Sequence, residues 1–206
     1  MKIFPECYPA GLNDLSEPVE ALYAQGNVEL LHKKGVCIVG TRNPTAYGRR
    51  QCTMIVEKLR SHDIVIVSGF ALGVDACAHE AAIKHGIPSI AVLGSSLESD
   101  YPKRNRELRA RMLAAGHLFI TEFAPGSAVR PENFPRRNRI LAALCQDVII
   151  IQSSVRSGTM NTASHALTLG RNLWVLPGNI DEPMSRGPNW LIFQGASPLY
   201  DIEEQL

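Results

Sequence analysis

The stretch from Ile64 to Asp75 constrains the fold of this chain more than any other. Its first four residues are all β-branched, and no polar residue alternates among them, which predicts a short strand buried on both faces of a sheet. Ser68-Gly69 and Gly73 then supply a tight turn, and a run of small residues predicts a helix over residues 76–83. A strand, a glycine-rich loop and a helix N-terminus in this order predict an anion-binding site.

The same rhythm runs along most of the chain. Short apolar runs predict six strands, at residues 36–39, 64–67, 89–92, 118–121, 147–151 and 173–176. Helical patterns predict helices near residues 54–59, 76–83, 106–115, 140–144 and 160–169. Strands that alternate with helices of this length predict a doubly wound, mainly parallel α/β sheet with helices on both faces.

Residues 1–35 lack this rhythm. They carry several proline and glycine turn signals around a possible short helix near Val19 to Ala24, so we expect a lead-in segment that precedes a core at residues 36–206. With 206 residues and 45% hydrophobic content, the whole chain is expected to form a single domain.

Charge and cysteine content exclude several classes of protein. The formal net charge is +1, so a nucleic-acid partner would have to be held by a local cluster of cations. The five cysteines are scattered without a CxxC pair, which argues against a disulfide framework or a zinc site and favours the reducing cytoplasm. No apolar stretch approaches the roughly 20 residues of a membrane span, so we expect a soluble protein without a membrane partner. We also expect no metal and no cofactor.

Basic residues gather where a ligand crevice is expected, beyond the carboxyl ends of the parallel strands. Arg42 follows the first core strand between a glycine and a proline, so we expect it to bind an anionic ligand there. Lys103, Arg104 and Arg106 form a second group in a polar loop, where a binding role and a merely solvated surface both fit the sequence.

A third basic group, Arg136, Arg137 and Arg139, precedes the helix predicted at residues 140–144. Cations at a helix start face the positive end of the helix dipole, which disfavours them by about 0.3 to 1 kcal/mol per charge. A negative group should therefore compensate. A ligand phosphate and Glu122 on the preceding strand both satisfy this requirement.

Other polar residues in these loops suggest binding rather than catalysis. Asp75 and His79 are spaced i, i+4, but no third ligand or nucleophile is evident, so we expect a carboxylate bonded to backbone and a hydrogen-bonded core histidine. Ser68 and Ser157 lack the Gly-x-Ser-x-Gly setting of a hydrolase and are expected to donate N–H or hydroxyl groups to phosphate. Aromatic residues beside the basic loops offer surfaces for base stacking. They are Tyr47, Tyr101, Phe123 and Phe134.

A series of short motifs follows the chain in a fixed order. It comprises Val39-Gly40-Thr41-Arg42, Tyr47-Gly48, Ser68 to Asp75, Ala78-His79, Ala91 to Gly94, Tyr101-Pro102, Thr121-Glu122, Phe134 to Ile140, Ser157-Gly158, Thr162-Ala163, Gly170-Arg171, Pro177-Gly178 and Gly187 to Ala196. Together these motifs resemble the DprA (Smf) family of DNA-processing proteins over nearly the whole chain. Two departures stand out: Gln152 replaces a usual glutamate, and Ser95-Ser96 replaces part of a glycine-rich turn.

The resemblance implies an extended Rossmann-like domain that binds single-stranded DNA in a positive pocket, forms a homodimer and loads the RecA recombinase during natural transformation. It implies no catalytic turnover. It assigns DNA binding to Arg42, Ser68, Gly69, Lys103, Arg104, Arg106, Arg137 and Arg139. The helical N-terminal and winged-helix C-terminal domains of many members have no counterpart here, so we expect a core-only member. Engagement of RecA and a role in plasmid or phage DNA handling both stay open.

Two other functions would use the same crevice. Lysine-decarboxylase-like phosphoribohydrolases release a base from a nucleoside monophosphate, but their acid/base glutamate is replaced here by Thr162. A sensor that binds a nucleotide and passes its state to a partner is the other alternative, because a phosphate site serves a mononucleotide and a strand equally.

Overall fold

In the computed structural model, which describes residues 1–206, nine strands form one sheet in the order β1-β2-β6-β5-β4-β3-β7-β8-β9. The strands are β1 (Lys2–Ile3), β2 (Leu22–Gly26), β3 (Lys34–Val39), β4 (Ile64–Ser68), β5 (Ser89–Val92), β6 (Leu118–Thr121), β7 (Cys145–Ile150), β8 (Asn172–Val175) and β9 (Ser197–Pro198). Strands β3 to β9 pair in parallel, and only β1 and β2 run antiparallel to their neighbours. The predicted mainly parallel α/β sheet is confirmed.

Helices cover both faces of the sheet. They are α1 (Ala46–Lys58), α2 (Val74–His85), α3 (Arg106–Ala114), α4 (Asn133–Ala143), α5 (Gly158–Thr168), α6 (Arg186–Phe193) and α7 (Ile202–Gln205). Strand β4 shows why both faces need cover: Ile64 and Ile66 pack with α1 and α2, whereas Val65 and Val67 pack in the core that holds α4 and α5. Since successive side chains of a strand point to opposite faces, an unbroken β-branched run requires two apolar layers. None of these helices is both long and apolar enough to span a membrane.

One element type and one helix boundary predicted from the sequence were wrong. The segment predicted as a short helix near Val19 to Ala24 instead contains strand β2, whose Tyr23 to Gly26 pair antiparallel with β6. Helix α4 begins at Asn133, so Arg136, Arg137 and Arg139 lie inside its first turns instead of preceding it. Pairing of β2 with the edge of β6 explains the first error, because the sequence of residues 19–24 does not indicate that this edge is available for pairing.

Strand β3 is the topological switch of the sheet. The chain adds β4, β5 and β6 on one side of β3, then crosses back to add β7, β8 and β9 on the other side. The loops that leave β3 and β7 consequently diverge and open a crevice beyond their carboxyl ends. This crevice and the adjoining ends of β4 and β5 hold the candidate site.

Candidate nucleic-acid interface

A narrow slot lies beyond the carboxyl ends of β4 and β5, between the loop after β3 and the start of α4. Its mouth is lined by Arg42, Tyr101 and Phe134, and its wall by backbone from Gly69 to Leu72. The Arg42 guanidinium lies 5.8 Å from the centre of the Phe134 ring, and the Tyr101 and Phe134 rings lie 5.4 Å apart. Two aromatic faces and a cation are therefore gathered at one opening.

Glycine residues allow this close assembly. Phe134 packs against Gly94, where an added Cβ would come within 2.7 Å of the ring. Gly73 has a φ of +84°, and a Cβ there would collide with the backbone of Thr41 and Arg42. Because Val74 N–H also donates to the Thr41 carbonyl at 3.1 Å, the turn before α2 fixes the backbone of the Arg42 loop.

The turn after β4 connects the slot to a second basic segment. Phe70 has a φ of +60°, a left-handed conformation that costs a non-glycine residue about 1 to 3 kcal/mol, and its ring packs edge-on against Phe119 in the core. Asn105 is buried, and its amide donates to the Phe70 carbonyl at 3.0 Å and the Ala71 carbonyl at 3.3 Å. The turn that carries Lys103 and Arg104 is thereby fastened beside the slot.

We call Arg42, Tyr101, Lys103, Arg104 and Phe134 the rim. Its three cations are exposed and pair with no carboxylate, and Tyr101 is 40% exposed. Arg106, one turn further on, is instead paired with Asp100 at the surface. Arg42, Lys103 and Arg104 thus make no ion pair within the protein, and the last two directly follow the Tyr101-Pro102 segment that lines the slot.

The predicted anion-binding site at the start of α2 is filled by the chain itself. The Asp75 carboxylate accepts the Ala71 N–H at 3.2 Å and lies close to the Gly69 N–H. Burial raises the pKa of Asp75, and Arg137 together with these N–H groups acts in the opposite direction. Asp75 is thus the backbone-bonded carboxylate that we expected, and the Gly69 carbonyl accepts a hydrogen bond from Arg137.

Ser68 was also wrongly assigned as a phosphate donor through its hydroxyl. The residue is fully buried, and its hydroxyl donates to the Ile38 carbonyl at 2.6 Å, across β3 and β4. His79 is likewise the hydrogen-bonded core histidine that the sequence predicted. Its Nδ1 lies 3.0 Å from the Ser89 hydroxyl, which lies 2.6 Å from Nδ1 of His117.

The two inner arginines of α4 are used within the protein. Arg137 is 4% exposed and donates to the carbonyls of Gly69 and Val92, which joins the ends of β4 and β5. Burial lowers the pKa of Arg137 to about 10. Arg139 makes two hydrogen bonds of 2.8 Å to the buried Glu122 carboxylate, so the internal partner of the two that we considered is the one present.

A second and larger cavity opens at the topological switch. This switch-point cleft has a volume of about 400 Å³ and lies between the loop after β3 and the N-terminus of α5. Its polar lining includes Arg42, Asp75, Arg137, Asn138 and Ser157. Gln152 does not line the cleft, because its side chain is buried against Thr45, which caps α1.

The sequence-based site omitted the two aromatic residues that the geometry emphasises. Tyr101 and Phe134 were grouped with Tyr47 and Phe123 as candidates for stacking, yet only the first pair lines the slot. Tyr47 instead donates its hydroxyl to the Pro177 carbonyl at 2.9 Å. Gly94, directly after a buried strand, is the sequence feature that points to Phe134. It can be interpreted in this way only when the contact between the two residues is known.

Comparison with known proteins identifies a family and several similar proteins. The model of the family described as DNA recombination-mediator protein A matches residues 1–206. Protein Smf of Escherichia coli K12 is 39% identical over 98% of this chain. The crystal structure of DNA processing protein A from Streptococcus pneumoniae has 34% identity and a TM-score of 0.93, over 99% of this chain and 72% of that one.

A second solved structure is similar over almost its full length. DNA processing protein A from Helicobacter pylori, whose single-stranded DNA binding mode has been studied structurally, has 32% identity and a TM-score of 0.90, over 100% of this chain and 94% of that one. The curated relatives are longer. The chain spans 54% of the E. coli protein and 66% of the Bacillus subtilis DNA processing protein DprA.

Proposed function

This chain belongs to the DNA recombination-mediator protein A family, and from that premise we propose that it binds single-stranded DNA at the rim without sequence preference. The family assignment drawn from the ordered motifs is confirmed. The structurally studied binding of single-stranded DNA by the Helicobacter pylori relative supports the proposal. We propose DNA processing and recombination as the setting in which this binding acts.

One observation supports the proposal: an unpaired cation and two stacking faces share one opening. The Arg42 guanidinium lies 5.8 Å from the Phe134 ring, which lies 5.4 Å from the Tyr101 ring, and the exposed, unpaired Lys103 and Arg104 follow Tyr101 in the next turn. Base stacking on an aromatic side chain contributes about 1 to 3 kcal/mol per base and tolerates any sequence. Duplex DNA hides the faces of its bases, so this surface favours single strands.

The proposed activity is binding without turnover. Asp75 is the one carboxylate that lines the switch-point cleft, and it accepts the Ala71 N–H and lies close to the charge of Arg137. Thr162, at the place of the phosphoribohydrolase glutamate, is buried and carries no titratable group. A proton carrier for release of a base is therefore lacking.

Fluorescence anisotropy with labelled oligonucleotides tests the proposal. Single-stranded oligomers should bind more tightly as length grows from one nucleotide to about ten, and duplexes of equal length should bind more weakly. Equal affinity for one and ten nucleotides would favour the nucleotide sensor. Free adenine after incubation with AMP would favour the phosphoribohydrolase.

The proposal extends to two partners. Large apolar side chains are exposed on α6, where Trp190 is 45% and Phe193 is 83% exposed, and these support a homodimer. The family's description as a recombination mediator supports contact with a RecA-type recombinase. Light scattering of the free protein should give twice the chain mass, and addition of recombinase to the DNA-bound protein should give a ternary complex. A monomeric mass at micromolar concentration would contradict the dimer.

A further inference from the structure

The connection between β5 and α3, residues 93–105, carries three of the five rim residues. Its outer part, residues 97–101, forms neither strand nor helix, and we call it the outer loop. The outer loop makes a single backbone–backbone hydrogen bond, from the Ser99 N–H to the Ser96 carbonyl at 3.1 Å. The position of Tyr101, at the end of this loop, therefore depends on side chains that contact the loop from elsewhere.

One guanidinium on α3 holds the outer loop. Arg109 donates from Nη2 to the Leu97 carbonyl at 2.6 Å and from Nη1 to the Ser99 carbonyl at 3.2 Å. Nη2 also donates to Gln25 Oε1 on β2 at 2.8 Å, and the guanidinium lies 5.0 Å from the centre of the buried Phe119 ring on β6. Because a planar guanidinium bonds several acceptors in a fixed geometry, Arg109 ties the outer loop to two strands of the sheet.

The other cation of α3 that contacts the outer loop contributes less to its position. Arg106 pairs with Asp100, but the Arg106 side chain is 76% exposed. Exposed ion pairs are screened by water and salt, so they stabilise a structure only weakly. Arg109 is partly buried and bonds the backbone itself, which makes it the main fastening of this segment.

Arg109 is placed to act through Tyr101 and not on DNA directly. It does not line the slot, and two of its guanidinium nitrogens are bonded within the protein. Tyr101 follows Ser99 by two residues, and its ring lies 5.4 Å from the Phe134 ring. The two rim cations that follow Tyr101 are held separately, by the side chain of Asn105.

We propose that Arg109 is a positioning residue, which holds Tyr101 beside Phe134 before DNA binds. The inference rests on the single-stranded DNA binding proposed above. Binding then costs less conformational entropy, because the stacking face is already ordered in the free protein. Without Arg109, the DNA has to order the outer loop itself.

Heteronuclear NOE measurements on the free protein test the ordering of the loop. In Arg109→Met, the amides of the outer loop should gain picosecond-to-nanosecond motion. In Arg111→Met they should match the wild type, because Arg111 lies two residues further along α3 with its side chain exposed. Unchanged NOE values in Arg109→Met would overturn the proposal.

Anisotropy titrations with an oligothymidylate of about ten residues test the effect on binding. Arg109→Met should weaken binding about tenfold, the cost of ordering one loop side chain on association. The salt slope should stay at the wild-type value, because no phosphate contact is lost. In the Tyr101→Ala background the same substitution should change affinity by less than about twofold, since the ring that Arg109 positions is gone. Arg111→Met should bind like the wild type.

Arg109→Lys provides a second variant in case Arg109→Met does not fold. It keeps the charge beside Phe119 but loses the planar guanidinium that bonds both carbonyls, so it should weaken binding with the same unchanged salt slope.

The outcomes separate this proposal from the one on which it rests. A wild type that does not bind the oligomer removes both. Tight binding by the wild type with equal affinity in Arg109→Met removes the positioning role alone, and a lower melting temperature beside that equal affinity would show a purely structural residue. A salt slope lowered by about 0.7 would make Arg109 a phosphate contact and overturn the positioning role, as would a loss that persists in the Tyr101→Ala background.

Discussion

The cations of the rim and the two inner arginines of α4 differ in their exposure and in their partners. Arg42, Lys103 and Arg104 are exposed and unpaired. Arg137 and Arg139 are buried and bonded to strand-end carbonyls and to Glu122. Both groups are arginine-rich in sequence, so the comparison teaches that partners and burial separate a ligand-binding cation from a structural one.

The largest effect is expected from a substitution of a buried arginine of α4. Arg137→Met should lower the free energy of unfolding by about 3 to 5 kcal/mol, because it leaves the Gly69 and Val92 carbonyls unpaired and Asp75 without its neighbouring cation. Arg104→Met, on the rim, should change it by less than about 0.5 kcal/mol. Urea unfolding at pH 7 measures both. Equal losses in the two variants would remove the distinction.

Acid should lower the free energy of unfolding through the buried His79. Burial lowers the pKa of His79 to about 3 from its ordinary 6.5, so below pH 6.5 the unfolded chain takes up a proton that the folded chain excludes. Stability should therefore fall by about 1.4 kcal/mol per pH unit as pH drops from 6.5 toward 3, or about 2 kcal/mol by pH 5. Denaturant unfolding across this range measures the slope. His79→Gln should flatten it, and His32→Gln, an exposed site, should not.

Phe134 tests the stacking part of the rim. Phe134→Ala should weaken binding of single-stranded DNA by about 1 to 3 kcal/mol, because a base loses its aromatic face. Phe134→Trp should retain most of the affinity, and Phe4→Ala, an exposed aromatic on the edge segment near β1, should leave it unchanged. Anisotropy titrations at one salt concentration measure all three. Full affinity in Phe134→Ala would show that the ring only packs against Gly94.

Much of the fold was predictable because the core strands are β-branched or apolar runs with few polar interruptions, and β5 and β6 begin and end where the sequence predicted. Strand β2 was not, since its pairing depends on the free edge of β6. The site was predictable at the level of loops. It was not predictable at the level of side chains, because Ser68, Gly69, Arg137 and Arg139 bind partners that are distant in sequence, and only the packed structure shows which donors remain free.

The salt dependence of single-stranded DNA binding tests the central claim most directly. The triple variant Arg42→Ala, Lys103→Ala, Arg104→Ala should lower the slope of log affinity against log salt by about 2, since each lost phosphate contact contributes about 0.7. A second triple variant, Arg60→Ala, Lys84→Ala, Arg111→Ala, removes equal charge from exposed sites at the opposite edge of the sheet and should keep the wild-type slope. Equal slopes in the two triple variants would contradict the account.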